Sequence, residues 1–228
     1  MVCKLYLNLS FGEWKGEAEA AEATLPYSGK SFGVPGNVYI LGTMNTADRS
    51  IALLDTALRR RFAFVEMMPD PNVLRQLHAD VVTVGNAEAD IAAMLSVINR
   101  RIEFLYDREH MIGHAFFTPL RKDNSIEKLA EIFRNSIIPL LQEYFYEDYE
   151  KIRMVLGDKD TVPAQNQFIR REIVSPHKLF GNDAEVEEKY TYLINNDALN
   201  NIYSYIKIYQ GIDEWQDSKS LRVRYDYR

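Results

Sequence analysis

The stretch Asn37–Met67 limits most strongly what this chain can fold into. It opens with Val38–Gly42, a short continuous apolar run that is typical of a strand covered on both faces, as inside a parallel sheet. The polar cluster Thr43–Asp48 follows directly, then a helical pattern, and then a second β-rich run, Phe62–Met67. The order strand, polar tip, helix, strand predicts one unit of an α/β fold.

The polar tip of the first strand suits phosphate chemistry. In open α/β folds, ligands bind at the carboxyl edge of the sheet. The amide of Asn45 is suited to hold a water against a terminal phosphate, because it donates and accepts hydrogen bonds without repelling the phosphate. However, Asn and Asp residues that follow a strand also commonly cap the next helix. From the residues alone, both interpretations stay open.

Three adjacent arginines end the helix that follows the polar tip: Arg59, Arg60 and Arg61. Their mutual repulsion predicts an anionic partner nearby, and arginine matches phosphate oxygens bidentately. Neighbouring helical residues point about 100° apart, so the three cannot all face one ligand. Asp55, four residues before Arg59, is a candidate internal partner. The alternative is that these cations only complement the negative end of the helix dipole.

Two runs, Gly42–Ser50 and Ala57–Phe62, together resemble the signature of the McrB family of AAA+ proteins. These proteins are the nucleotide-hydrolysing subunits of modification-dependent (5-methylcytosine-specific) restriction systems. The resemblance covers roughly residues 11–156. Further matches follow in the family's order at Leu25–Gly29, Ile112–His114, Phe116–Phe117, Ile138–Leu141 and Glu143–Phe145.

The resemblance implies a role for several residues. Asn45 matches the catalytic sensor position at the tip of the strand, and Arg60 and Arg61 match arginine-finger positions that reach the nucleotide site of the adjoining subunit. Ile112–His114 lies where AAA+ lids carry a second sensor, although His114 is equally interpretable as a packed lid residue. The positions expected to contact nucleotide are Thr46, Asp48, Arg59 and His114.

The predicted fold is α/β plus α-helical, with three domains. It is a partial AAA+ module, in which the end of a parallel α/β sheet (residues 1–70) is followed by a helical lid (71–157) and a small mixed C-terminal extension (158–228). Before the sensor strand, Glu17–Ala23 favours a helix by propensity. Helices are predicted over Asn72–Val84, Ala87–Tyr106, Ser125–Tyr146, Asp148–Leu156 and Asn196–Tyr209, with a kink or restart at Pro139. Between them, the sequence predicts a loop over Met111–Phe117 that leads into an extended segment, a linker over Gly157–Asn166 and a strand over Gln167–Val174.

The chain also departs from the family pattern. It contains no GxxxxGK[ST] phosphate-binding loop, and no apolar run that ends in Asp-Glu precedes the sensor strand. The sequence is therefore interpreted as a truncated product or fragment of the motor domain. GTP or ATP with Mg²⁺ is the cofactor that the resemblance implies for the intact family, and we expect this chain alone to bind none and to be inactive.

Charge and composition bear on the partners and the compartment. The net charge of −6 argues against a protein that coats nucleic acid with its whole surface. The resemblance implies other AAA+ subunits in a ring, a McrC-like nuclease subunit, and DNA reached through the complex. The chain has no apolar run of about 18 residues and no secretory signal, which predicts a cytoplasmic protein without a membrane contact. The lone Cys3 and the scattered histidines predict no metal site.

The residues leave two alternatives to part of a working motor. The first is a non-catalytic remnant or assembly module. A free-standing endonuclease has weak support: Asp183 with Glu187 or Glu188 and Lys189 faintly resembles a D…ExK pattern, but a solvated charged face explains the same residues.

Overall fold

The computed structural model describes residues 2–7, 22–33, 40–45, 63–175 and 189–210. The chain divides into two compact units, Met1–Met68 and Pro69–Arg228. In the part of the chain that is described, no helix is long and apolar enough to span a membrane. The predicted three-domain division stays a prediction.

The first unit contains a three-stranded sheet. Strand β1 (Val2–Leu7) lies between β4 (Ile40–Asn45) and β5 (Ala63–Val65) and is antiparallel to both. The predicted strands Val38–Gly42 and Phe62–Met67 are thus confirmed with different bounds, at 40–45 and 63–65, and the first of them includes the start of the predicted polar tip. Residues 38–39 and the predicted helix between the two strands lie outside the described residues.

The prediction of a parallel sheet is wrong for the described pairings. Strands β4 and β5 do run in the same direction, but β1 is inserted between them with the opposite direction. A continuous apolar run indicates that a strand is covered, but it does not give the direction of the neighbouring strand. The neighbour comes from the first residues of the chain, where no strand was predicted.

A tight β-hairpin precedes β4 in the first unit. It is formed by β2 (Glu22–Thr24) and β3 (Ser31–Gly33), and the Leu25 amide donates to the Lys30 carbonyl at 2.9 Å. Gly29 takes the left-handed conformation that the turn requires, with φ +63°. The predicted helix Glu17–Ala23 is therefore wrong at Glu22 and Ala23, which belong to β2, because strand pairing overrides a weak helix propensity. Residues 17–21 lie outside the described residues.

The second unit begins with a short helix and another β-hairpin, namely α1 (Asn72–Gln76), β6 (Val81–Val84) and β7 (Ala87–Asp90). The helix predicted to continue to Val84 is wrong there. β-branched residues dominate β6, and Gly85 has φ +59° in the turn between the strands. The next helix starts only after Asp90, whose carboxylate accepts from the Ala93 amide at 2.8 Å.

The other helices of the lid region are confirmed with shorter bounds. They are α2 (Ile91–Leu105), α3 (Ile126–Ile132), α4 (Ile138–Tyr144) and α5 (Tyr149–Leu156). A wide π-helical turn, Phe133–Ile137, joins α3 to α4 just before Pro139, at the place where a kink or a restart was predicted. The predicted loop at Met111–Phe117 is confirmed only as far as Gly113, and the extended segment expected after it is wrong: His114–Arg121 is a 3₁₀ helix, preceded by a shorter one at Arg108–His110.

The residues after Gly157 share one hydrophobic core with these helices. The predicted strand is β8 (Ile169–Val174), which pairs antiparallel with an unpredicted β9 (Lys189–Ile194). The predicted last helix is divided into α6 (Asn196–Leu199) and α7 (Ile202–Tyr209). In the core, buried aromatic rings from both parts of the chain contact one another: Phe117, Phe133, Phe168 and Tyr205.

Candidate functional site

Two of the predicted site residues lie in the described part of the chain. Asn45 is the last residue of β4 and stands opposite Val2 in the register with β1. Its backbone is therefore at the carboxyl end of a strand, as predicted. His114 begins the second 3₁₀ helix in the other unit. The remaining predicted residues, Thr46, Asp48, Arg59, Arg60 and Arg61, lie outside the described residues.

The imidazole of His114 forms a hydrogen bond with Asp70, near the start of the second unit. Its Nδ1 accepts a hydrogen bond from the backbone N–H of Asp70 at 3.1 Å. A ring nitrogen that accepts carries no proton, so the neutral ring has its proton on Nε2. His114 is half-buried, whereas the neighbouring Phe117 is fully buried and Phe116 is 39% exposed. Of these three side chains, Phe117 is therefore the one that packs fully into the core, whereas His114 does so only in part.

A buried asparagine fixes the residues just before His114. The side chain of Asn99, on α2, donates to the Ile112 carbonyl at 2.9 Å and accepts from the Ile112 amide at 2.6 Å. Both residues are buried, so neither backbone group of Ile112 has water as an alternative partner. The amide of Asn99 thus does for Ile112 what a neighbouring strand would do, and it holds the predicted second-sensor segment against α2.

A carboxylate and aromatic rings support the same segment from the 3₁₀ turn before it. Asp107 accepts from the His110 amide at 3.0 Å and contacts His110 Nδ1 at 2.6 Å. The His110 ring packs edge-on against Tyr106 and Tyr144, with centroid distances of 4.3 and 4.8 Å. Burial raises the pKa of the Tyr144 hydroxyl to about 12, with nearby carboxylates adding to the effect, so this ring stays neutral at physiological pH.

We expect the Asp107 contact to weaken in acid. Partial burial raises the pKa of Asp107, but hydrogen bonds and the charge of His110 outweigh it, and the net pKa is lowered. A lowered pKa in the folded state means that this stabilisation is complete above the unfolded value and is lost as pH falls through the folded value. Between pH 5 and 3, urea unfolding should show a steeper loss of stability for the wild type than for Asp107→Asn. Parallel curves would contradict this assignment.

On the other side of α2, a second polar network ties the helices to the later residues. The Arg101 guanidinium donates to the carbonyls of Val155 and Ile208, both at 2.8 Å, and so caps the ends of α5 and α7. Asp158 forms a buried ion pair with Lys207, and its carboxylate also accepts a hydrogen bond from the Ile169 amide at 2.8 Å.

Arg153 and Arg171 line an open cleft of about 460 Å³ beside this network. Asp160 accepts from both guanidinium groups, at 3.0 Å from Arg153 and at a shorter contact from Arg171. Glu150 pairs with the same two arginines at 3.8 and 3.4 Å. Because the opposite charges already pair with one another, we assign the cleft a structural role, in which it joins β8 to α5.

The sequence contained one usable signal for the residues that were not predicted. Asn99 lies one helical turn after the buried Leu95, on the apolar stripe of α2. A polar residue on a buried stripe requires a partner, so its position predicts a hydrogen bond, although not to Ile112 in particular. Nothing in the local pattern indicated the Asp70 amide, which lies 44 residues from His114.

The helical part of the second unit matches a known family. Residues 90–153 match the family described as McrB, alpha-helical lid domain. The chain contains an McrB-type lid. The matched residues begin at Asp90, which caps α2, and end within α5. They therefore include Asn99, Asp107 and His114.

A curated relative supports the same conclusion over a longer stretch. Over 139 residues the chain is 36% identical to the Type IV methyl-directed restriction enzyme EcoKMcrB subunit of Escherichia coli (strain K12). The matched stretch covers 56% of this chain and 30% of that protein. This similarity, with the match to the McrB lid family, supports the resemblance to the C-terminal region of an McrB-type subunit.

Proposed function

We propose that this chain is part of an McrB-like AAA+ subunit that hydrolyses GTP or ATP within a DNA restriction complex. The observation that carries the proposal is the McrB-type lid, together with the 36% identity to the Escherichia coli restriction subunit. Other AAA+ subunits in a ring and a McrC-like nuclease are the partners that the proposal implies, and DNA is reached through the complex.

In this proposal the chain supplies the part of the active site that reads the terminal phosphate. Asn45 orients the attacking water, and its place at the end of β4 supports that role. Arg60 or Arg61 stabilises charge on a nucleotide bound to a neighbouring subunit. Thr46, Asp48 and Arg59 complete the contacts of the sensor and finger segments.

The phosphate-binding part must come from other residues than these. The sequence has no GxxxxGK[ST] loop, so the chain offers no backbone cradle for the β- and γ-phosphates. We therefore assign to this chain the sensor and finger roles only. GTP or ATP with Mg²⁺ would be held mainly by a segment or subunit that carries such a loop.

Mixing experiments with the Escherichia coli relative test the proposal. We expect the purified chain alone to show no change in melting temperature with Mg²⁺ and either nucleotide, whereas binding at 100 times the dissociation constant would add about 2.7 kcal/mol. Added to the relative, the chain should change its rate of nucleotide hydrolysis. Replacing Arg60 and Arg61 together with alanine should abolish that change.

A matched control separates finger donation from a general charge effect. Arg121 and Lys122 are also adjacent cations at a helix end, and both are exposed. Their double alanine variant should change hydrolysis as the wild type does. If the chain with Arg60 and Arg61 replaced acts as the wild type does, the finger role is wrong and the chain is at most an assembly module.

A further inference from the structure

The second unit begins with a segment of unusual backbone chemistry. Residues 69–71 read Pro69-Asp70-Pro71, and proline has no backbone N–H and a fixed φ. The Asp70 amide is therefore the one backbone donor in these three residues. The group that accepts from that amide therefore holds the one backbone donor of the segment.

Three different groups of Asp70 make hydrogen bonds. Its N–H donates to His114 Nδ1 at 3.1 Å, its carboxylate accepts from the Asn72 amide at 2.9 Å, and its carbonyl accepts from the Val73 amide at 3.2 Å. The last two bonds are local and belong to the start of α1. Of these three bonds, the one to His114 joins the segment to a distant part of the chain.

His114 is itself fixed from the opposite direction. Two residues earlier, both backbone groups of Ile112 are bonded to the buried side chain of Asn99. A continuous path of hydrogen bonds and short covalent links therefore runs from α2, through Ile112 and His114, to Asp70 and α1. This path connects the start of the second unit to α2.

We propose that His114 is a positioning residue that anchors the Pro69–Pro71 segment through its unprotonated Nδ1. The two prolines stiffen the segment, and the imidazole fixes its single donor to the segment Ile112–His114. The inference rests on these hydrogen bonds and not on the proposed nucleotide chemistry.

The wild-type protein provides the first test, which needs no variant to fold. In a sample labelled with ¹⁵N-histidine, the ring nitrogens of His114 should show the form with the proton on Nε2, because Nδ1 accepts from Asp70. A ring with its proton on Nδ1 at neutral pH would overturn the proposal.

Amide hydrogen exchange at Asp70 provides the second test. In His114→Ala the Asp70 amide should exchange about fivefold faster, as expected for the loss of one ordinary hydrogen bond. In His114→Asn the side-chain oxygen takes the place of Nδ1 and should restore slow exchange. Thr118→Val removes another side-chain bond of the same 3₁₀ helix, to the Ala115 carbonyl at 2.8 Å, and should leave Asp70 unchanged.

Two outcomes of the exchange experiment would overturn the proposal, and one would support it. Equal exchange in the wild type and His114→Ala would show that the imidazole does not anchor Asp70. Faster exchange in Thr118→Val as well would show a general loosening of the helix, and it would equally overturn the specific role of His114. Restoration by His114→Asn at an unchanged melting temperature supports the role, because packing alone does not explain the rescue.

Discussion

Replacing Lys207 with methionine is expected to destabilise the protein by about 3–5 kcal/mol, the usual cost of leaving one partner of a buried ion pair alone. The Asp158 residue is only 4% exposed. Its carboxylate pairs with Lys207 and accepts from the amides of Phe168 and Ile169 at 3.0 and 2.8 Å. Without the ammonium group, two amide dipoles must support a full buried charge.

Urea unfolding of Lys207→Met, with Lys151→Met as the control, measures this effect. Lys151 pairs with Asp148 at 3.1 Å, but the two side chains are 47% and 42% exposed. An exposed pair of this kind contributes about 0–1 kcal/mol. Equal losses in the two variants would contradict the claim that burial makes the Lys207 pair important. Adding Asp158→Asn to Lys207→Met should recover part of the loss, since it removes the unpaired charge. The recovery should be incomplete, because the single oxygen of asparagine can accept from only one of the two backbone amides, which donate to different carboxylate oxygens of Asp158.

The loss in Lys207→Met should shrink as the pH is lowered from 7 to 5. Burial already raises the pKa of Asp158 in the wild type, although Lys207 and the backbone amides oppose it. Removing Lys207 leaves burial less opposed, so the folded variant takes up a proton at higher pH than the unfolded chain does. A group with a raised carboxyl pKa favours the folded state as pH falls. A gap between variant and wild type that widens in acid would contradict this account.

Replacing Asn99 with alanine should cost about 2–6 kcal/mol, because each of two buried backbone groups left without a partner costs about 1–3 kcal/mol. Both groups of Ile112, its amide and its carbonyl, lose their partner in this variant. Leucine at the same position should be no better than alanine, since it fills the space but offers no hydrogen bond. Thermal unfolding followed by circular dichroism would measure both variants.

A nearby residue on the same helix serves as the control. Ser96 lies about one turn before Asn99 and donates to the Ala92 carbonyl at 2.8 Å within α2. The carbonyl keeps its helical partner in Ser96→Ala, so we expect a change of at most about 1 kcal/mol. A loss in Asn99→Ala as small as this would show that water reaches Ile112 and that the clamp is not needed.

The sequence predicted the elements whose signal is local. The apolar run before Asn45 and the helical spacing of α2 and α5 were sufficient, since period and capping are properties of neighbouring residues. The hairpin β6–β7 was missed because its strands are only four residues each and follow a helix start. The antiparallel direction of β1 depends on pairing between distant segments, which no local pattern specifies.

In the candidate site, too, the segment could be located from the sequence, but its contacts with distant residues could not. Resemblance placed His114 in the second-sensor segment, and the match to the McrB lid includes that segment. The partner of His114 could not be predicted, because the bond to Asp70 depends on how α1 and the 3₁₀ helix pack together. The roles of Asn45, Arg60 and Arg61 stay predictions, and the mixing experiment is directed at the two arginines.

The double cap by Arg101 has a consequence for how much of the chain is required to make a stable lid. Its guanidinium holds the last turn of α7 as well as that of α5. The family match ends at residue 153, yet Phe133 is covered by Phe168 and Tyr205, which come later in the chain. A polypeptide shortened to the matched residues would lack both covering rings, would expose Phe133 to water and is expected to aggregate. During synthesis, the lid likewise acquires its final packing only after the ribosome has released Ile208.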